Sequence, residues 1–126
     1  KGDAGQRAII AQAMGWAPAQ QASGTNWMAP YLGLLLNDSY DAVRYITGRS
    51  LLSLPGYESF SYDFVAPPEQ RTVKMRLALE RWAQLKLQQG RRTDPALLFK
   101  PDGGFEAETV DRLTAGRDNR PLVYRE

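Results

Sequence analysis

The sequence contains no cysteine and no histidine. Without cysteine, the chain cannot form a disulfide, a thiolate metal site, a cysteine nucleophile or a covalent c-type haem attachment. Without histidine, it lacks the commonest general base, the commonest metal ligand and any Ser-His-Asp triad. An enzyme built from this chain would have to use carboxylates, lysine, arginine and tyrosine. We therefore predict a non-catalytic chain with no catalytic, cofactor-binding or metal-binding residues.

Long apolar runs and a strong net charge are also missing. The longest apolar run, Tyr31–Leu36, is far shorter than the ~20 residues that cross a bilayer, and we expect no membrane insertion. The 16 basic and 14 acidic residues give a net charge of +2, so binding to nucleic acid would require a local basic patch. With 126 residues, 43% of them hydrophobic, the chain has the size and composition of one globular domain.

Helix-forming patterns cover most of the chain, and no convincing pair of strands is present. The apolar spacing and the caps predict helices over 4–15, 27–36, 40–54, 69–89 and 106–115, with one short turn over 96–99. The segment 16–26, which contains Pro, Ser and Gly, is predicted to be a loop. The segment 57–68 alternates aromatic and polar residues, and we expect an extended loop that lies on a helical core.

One internal similarity organises these helices. Segments 6–15 and 43–52 align at an offset of 37 residues, which pairs Arg7 with Arg44. A similarity at this period, with two helices in each unit, is typical of an α-solenoid.

Residues 29–54, APYLGLLLNDSYDAVRYITGRSLLSL, resemble a HEAT-type repeat. The matching positions are Pro30 in the first helix, Asp38 at the turn between helices, and Val43 and Arg44 in the second helix. The resemblance implies that Asp38 and Arg44 satisfy turn amides and bridge adjacent repeats. It also implies that the chain binds a protein partner or a neighbouring domain through exposed helix faces.

We therefore predict an all-α fold, a short α-solenoid of HEAT-like α-hairpin repeats with an irregular C-terminal cap. The single domain spans 1–126, with a repeat core over 4–90 and a cap over 91–126, because repeat arrays need a cover for their last apolar face. Segment 6–15 would be the second helix of a repeat whose first helix is absent, and the sequence begins at Lys1 rather than at a methionine. We accordingly expect a fragment of a longer chain.

A second resemblance concerns two segments together. NDSYDAVRYITGRSLLSLPGYESFSYDF at 37–64 and RDNRPLVYRE at 117–126 are similar to the C-terminal region of bacterial multihaem c-type cytochromes that carry HEAT-like repeats after the haem domain. This resemblance implies CxxCH haem motifs upstream of Lys1 and a parent protein that transfers electrons. It also implies a periplasmic or cell-surface location.

Aromatic residues are the predicted partner-binding anchors, because tryptophan and tyrosine are favoured at the centres of protein interfaces. We select Trp16, Trp27, Tyr57, Phe60 and Tyr62. The alternative for the aromatic residues of 57–64 is that they fill the core around their loop.

A possible basic stripe follows the long helix and provides a second function. It contains Arg71, Lys74, Arg81, Arg91 and Arg92. Some α-solenoids bind the nucleic-acid backbone with such a stripe, which makes a nucleic-acid-binding α-solenoid the alternative function. Glu69 and Glu80 interrupt the stripe, and a solvated, salt-bridged face is the better explanation of it. The sequence as a whole argues against a nucleic-acid partner.

Overall fold

The computed structural model describes residues 2–89 and 107–119. Within these residues the protein is entirely helical, with six helices and no strand, which confirms the all-α prediction. The helices are α1 (Ala4–Met14), α2 (Ala17–Ser23), α3 (Met28–Leu35), α4 (Asp41–Leu52), α5 (Pro68–Gln89) and α6 (Ala107–Ala115). The short turn predicted over 96–99 lies outside the described residues, as do Arg91 and Arg92.

Local signals explain where the first helix begins and which face it buries. Asp3 caps α1 by accepting a hydrogen bond from the backbone amide of Gln6, whose side chain in turn accepts one from the amide of Asp3. This reciprocal capping box satisfies two amides that the first turn leaves unpaired. The buried residues of α1 recur at intervals of three and four, at Ala4, Arg7, Ala11 and Met14, and so form one face.

Helix α2 occupies most of the segment that was predicted to be a loop, and this prediction was wrong. Pro18 stands in the first turn of α2, where its missing N–H costs no helical hydrogen bond. The side-chain amide of Gln20 then ties the helix to its neighbours by donating to the carbonyl oxygen of Met14 and to Oγ of Ser53. These tertiary bonds stabilise a helix of seven residues that would not be stable alone.

The packing order places four helices around one core. Helix α4 packs on both α1 and α3, and α3 also packs on α5. The core contains Met28, Leu32, Leu36, Leu51, Leu54, Tyr57 and Trp82, together with smaller residues. Trp82 of α5 also donates a hydrogen bond from Nε1 to the carbonyl oxygen of Asn26, so its polar atom is satisfied at the edge of the core.

The aromatic loop between α4 and α5 lies on this core and forms no strand, as expected from the sequence. Tyr57 is 1% exposed, and its hydroxyl donates a hydrogen bond to the carbonyl oxygen of Ala78. Phe60 packs edge-to-face on Tyr57, with 6.0 Å between ring centroids. The hydroxyl of Tyr62 donates to the carbonyl oxygen of Leu36 at the end of α3. The aromatic side chains of the loop therefore complete the core where α3, α4 and α5 meet.

Candidate interaction surfaces

A buried ionic cluster centres on Asp38, at the turn between α3 and α4. Oδ2 of Asp38 accepts hydrogen bonds from Nε of Arg7 and Nη1 of Arg117, both at 2.8 Å. Oδ1 accepts from Nη2 of Arg7 at 3.2 Å and from the backbone amide of Tyr40 at 3.0 Å. Asp38 is 0% exposed and Arg7 is 3% exposed.

Burial alone would raise the pKa of Asp38. The hydrogen bonds from Arg7 and from the amide of Tyr40 lower it, as do the positive charges of Arg7 and Arg117. Together they outweigh burial and hold the pKa of this carboxyl below its usual value. The carboxylate therefore stays ionised and fully hydrogen-bonded at neutral pH, which suits a structural joint and not a general base.

Arg44 supports the same turn from the other side. Its Nη1 donates to the carbonyl oxygens of Asp38 and Ser39, at 2.8 and 3.0 Å, and its Nε donates to the carbonyl oxygen of Phe64 at 2.8 Å. The guanidinium of Arg44 thus supplies the hydrogen bonds for three carbonyl groups of the turn and the aromatic loop. Pro30 and Val43, the other positions of the repeat pattern, are buried in α3 and α4.

The five predicted partner-binding aromatics do not share a surface. Tyr57 and Phe60 are core residues, 1% and 9% exposed, so their side chains are not accessible to a partner and the core-filling alternative describes them. Tyr62 and Trp27 are half-buried against the core. Only Trp16, with 63% of its side chain exposed, stands on the surface as a free large aromatic.

Trp16 borders a groove between α1 and α4. The groove has a volume of about 820 Å³ and is lined by Ile9, Gln12, Ala13, Gly15, Trp16, Tyr45, Ile46, Arg49, Ser50 and Ser53. Ile9 is 69% exposed and Tyr45 is 46% exposed, so the apolar rim of the groove faces solvent. The guanidinium of Arg49 lies 5.9 Å from the ring centroid of Tyr45 and supplies the only charge in the lining. We call this surface the α1–α4 face.

Sequence reasoning missed most of the α1–α4 face. Of its exposed large side chains only Trp16 was selected, and Ile9, Tyr45 and Arg49 were not. The available signal was that α4 carries Tyr45 and Arg49 four residues apart, which puts them on one side of the helix, away from the buried Val43, Thr47 and Leu51.

The described part of the basic stripe is tied to the core. The ammonium of Lys74 lies 5.8 Å from the ring centroid of Phe60, and the guanidinium of Arg81 lies 5.8 Å from that of Tyr57. Arg71 is half-buried near Tyr62. These cations cover aromatic rings of the loop, an arrangement that fits a packing role.

The described residues contain neither a cluster of metal ligands nor a membrane-spanning helix. No group of three or more His, Cys, Asp or Glu side chains in 2–89 and 107–119 is arranged to hold a metal ion. None of the helices there is long and apolar enough to cross a membrane. Comparison with protein-family models, curated proteins and solved structures finds no match to this chain.

Proposed function

We propose that this chain is a non-catalytic helical-repeat scaffold that binds a protein partner, or a neighbouring domain of its own parent chain, through the α1–α4 face. The observation that carries the proposal is the exposure of Trp16, Ile9 and Tyr45 around one groove. Large apolar side chains grouped on a surface are characteristic of binding sites, and tryptophan and tyrosine contribute most of the free energy at such sites.

The contacts between helices support a HEAT-like order. Helices α1 and α4 contain the two segments that align at an offset of 37 residues, and they pack against each other. Helices α3 and α4 form a hairpin, and α5 packs on α3. Arg7 stands at the position equivalent to Arg44, and it binds Asp38 in the turn of the next hairpin, as the bridging role implied by the resemblance requires.

The chemistry of the described side chains supports a role without catalysis. The buried carboxylate of Asp38 is paired with Arg7 and Arg117. The carboxylates of Glu108 and Asp111 on α6 are exposed. A general acid or base acts from a pocket that holds the substrate, and the exposed positions of Glu108 and Asp111 favour solvated surface carboxylates.

Photo-crosslinking tests the proposed binding face directly. The photoreactive residue benzoylphenylalanine is placed at Trp16 in the full-length parent protein, expressed in its native host. A matched variant carries the same residue at Leu87, which is 75% exposed on α5 and lies outside the α1–α4 face. We expect the crosslinks from position 16 to fall on one peptide sequence of the partner. The variant with the photoreactive residue at position 87 should give no crosslink to that peptide. Equal patterns from both positions would refute the α1–α4 face as the binding surface.

The sequence resemblance extends this proposal to the parent protein, in which the neighbouring domain is a multihaem c-type cytochrome domain. The scaffold would then brace that domain or dock its redox partners. A reduced-minus-oxidised visible spectrum of the native parent protein tests this extension. Sharp haem bands are expected, and a featureless spectrum would remove the cytochrome while leaving the interaction function in place.

A further inference from the structure

A cavity of about 330 Å³ separates α6 from α1 and α3. Its lining is mostly apolar and consists of Arg7, Ile10, Met14, Trp27, Tyr31, Leu34, Leu35, Leu113, Thr114 and Arg117. Protein interiors normally leave few voids larger than a water molecule. Helix α6 therefore covers this part of α1 and α3 without filling the space beneath it.

The hydrogen bonds that hold α6 in this position come from the residues after the helix. Arg117 binds Asp38, and Nη1 of Arg7 donates to the carbonyl oxygen of Asp118 at 3.0 Å. Asn119 accepts from the hydroxyls of Ser39 and Tyr40, at 2.9 and 2.8 Å. The helix itself contributes Leu113 to the cavity, whereas Glu108 and Arg112 are exposed. Residues 117–119 are thus held by several hydrogen bonds, whereas the helix α6 itself is packed loosely.

The surface beneath α6 has the form of a seat for a helix. Helices α1 and α3 supply its two walls, with Ile10 and Met14 on one side and Tyr31, Leu34 and Leu35 on the other. Apolar side chains on two neighbouring helices can accept the apolar stripe of a third helix by ordinary groove packing. Helix α6 has nine residues, about 14 Å in length, and so supplies only a short stripe.

Asp38 specifies what else an occupant must carry. Its buried carboxylate accepts a bond from Arg117, which follows Leu113 by four residues. Arg117 lies two residues past the last residue of α6. An occupant that places a leucine in the last turn of its helix over the cavity, and an arginine just past the end of that helix, would make both contacts. Arg117 binds the carboxylate through Nη1 alone, and an arginine suits this position because its guanidinium keeps its charge and makes a charge-assisted hydrogen bond.

We propose that the seat between α1 and α3 binds an amphipathic helix of a partner protein, with a leucine and an arginine spaced as Leu113 and Arg117 are, and that α6 is the internal occupant that this helix displaces. The inference adds a second surface to the proposed interaction function and rests on that function for the class of partner. The partner helix can bind only those molecules in which α6 has left the seat. Its apparent Kd is therefore the intrinsic Kd divided by the fraction of such molecules.

A peptide of residues 107–119 added in trans is the probe. It carries a fluorescein label, Arg112→Lys and a lactam that joins this position to Glu108, because a free peptide of 13 residues is hardly helical in water. Binding to the full chain is followed by fluorescence anisotropy. We expect Leu113→Glu and Arg117→Ala in the chain each to tighten peptide binding at least about tenfold, because both weaken the internal occupant.

Further controls make the experiment decisive. Adding Ile10→Glu to the Leu113→Glu chain should abolish binding, since Ile10 lines the seat, whereas adding Leu87→Glu on α5 should leave it unchanged. Circular dichroism identifies any variant that fails to fold, and the Arg117→Ala chain keeps the test valid if Leu113→Glu does so. A peptide carrying Leu113→Glu should not bind.

Peptide binding that is equally weak in the wild-type chain and in both α6 variants would overturn the inference. Binding of a small apolar dye without binding of the peptide would also overturn it, in favour of a small-molecule cavity. The α1–α4 face is tested separately by crosslinking from Trp16. Failure of the peptide experiment with successful crosslinking therefore removes the seat alone, and the reverse result removes the α1–α4 face alone.

Discussion

Arg7 and Asp38 form a two-point ion pair across 31 residues of sequence, with Nε to Oδ2 at 2.8 Å and Nη2 to Oδ1 at 3.2 Å. Both side chains are almost completely buried. The remaining N–H groups of Arg7 reach the carbonyl oxygens of Gly2 and Asp118 and Oδ1 of Asn119. This guanidinium therefore joins the start of α1, the α3–α4 turn and the segment after α6.

Replacing Asp38 by asparagine should destabilise the protein strongly. Asp38→Asn leaves the guanidinium groups of Arg7 and Arg117 buried without their countercharge, and removing one partner of a buried pair costs about 3–5 kcal/mol. Urea unfolding measures the free energy of unfolding, and Glu80→Gln on the exposed side of α5 is the matched control. A loss below about 1 kcal/mol for Asp38→Asn would contradict the role given to this carboxylate.

The stability of the protein should fall in acid because of the same residue. The folded pKa of Asp38 is lower than its unfolded pKa, so its contribution is complete above the unfolded value, near pH 4, and is lost as the pH falls through the lower folded value. The free energies of unfolding of wild type and Asp38→Asn should therefore converge as the pH falls below the unfolded value of about 4. Urea unfolding at several pH values measures both, and a difference that stays constant below this pH would contradict the prediction.

Tyr57 should titrate late in alkali. Burial raises the pKa of its hydroxyl to about 12, although the charge of Arg81 opposes this. Its contribution to stability is complete below the unfolded pKa near 10 and is lost as the pH rises toward about 12. Ultraviolet titration of the protein should show this late step, and Tyr57→Phe should remove it. Tyr57→Phe also deletes the bond to Ala78 and should cost about 1 kcal/mol. Tyr45→Phe, at an exposed position, is the control that keeps the late step.

Two helical glycines should respond differently to alanine. A Cβ atom at Gly48 would lie 2.8 Å from Cδ1 of Tyr62, a ring fixed by its bond to Leu36. A Cβ atom at Gly33 would lie 3.2 Å from Cδ2 of Leu79, the end of a flexible side chain. We expect Gly48→Ala to destabilise by about 1–3 kcal/mol through overpacking. Gly33→Ala should be neutral or stabilise by up to about 1 kcal/mol through helix propensity. Thermal unfolding measures both, and equal midpoints would contradict the packing of Tyr62 on α4.

The fold class and most of the helices were predictable because they depend on local rules. Apolar spacing identified α1, α3, α4 and α5 to within about two residues of their ends, which is the usual scatter of helix boundaries. Helix α2 was missed because its stability comes from the bonds of Gln20 to Met14 and Ser53, and no local pattern encodes those contacts.

The surface was harder to predict than the helices. The sequence alone does not distinguish an exposed aromatic residue from a buried one. Helix α5 covers Tyr57 and leaves Trp16 exposed, and this depends on the tertiary position of α5. Asp38 was assigned to the inter-helix turn, and its bond to the amide of Tyr40 agrees with that assignment. Its partner Arg117 lies 79 residues away, a separation at which sequence spacing gives no information.

The bonds of Arg7 impose an order on the folding of a newly synthesised chain. Translation proceeds from the N-terminus, so α1 leaves the ribosome early and Asp38 follows it 31 residues later. The acceptors at Asp118 and Asn119 emerge only after 111 and 112 residues. Until that segment has been made, the guanidinium of Arg7 can bond only to Gly2 and Asp38, and α6 can dock only afterwards.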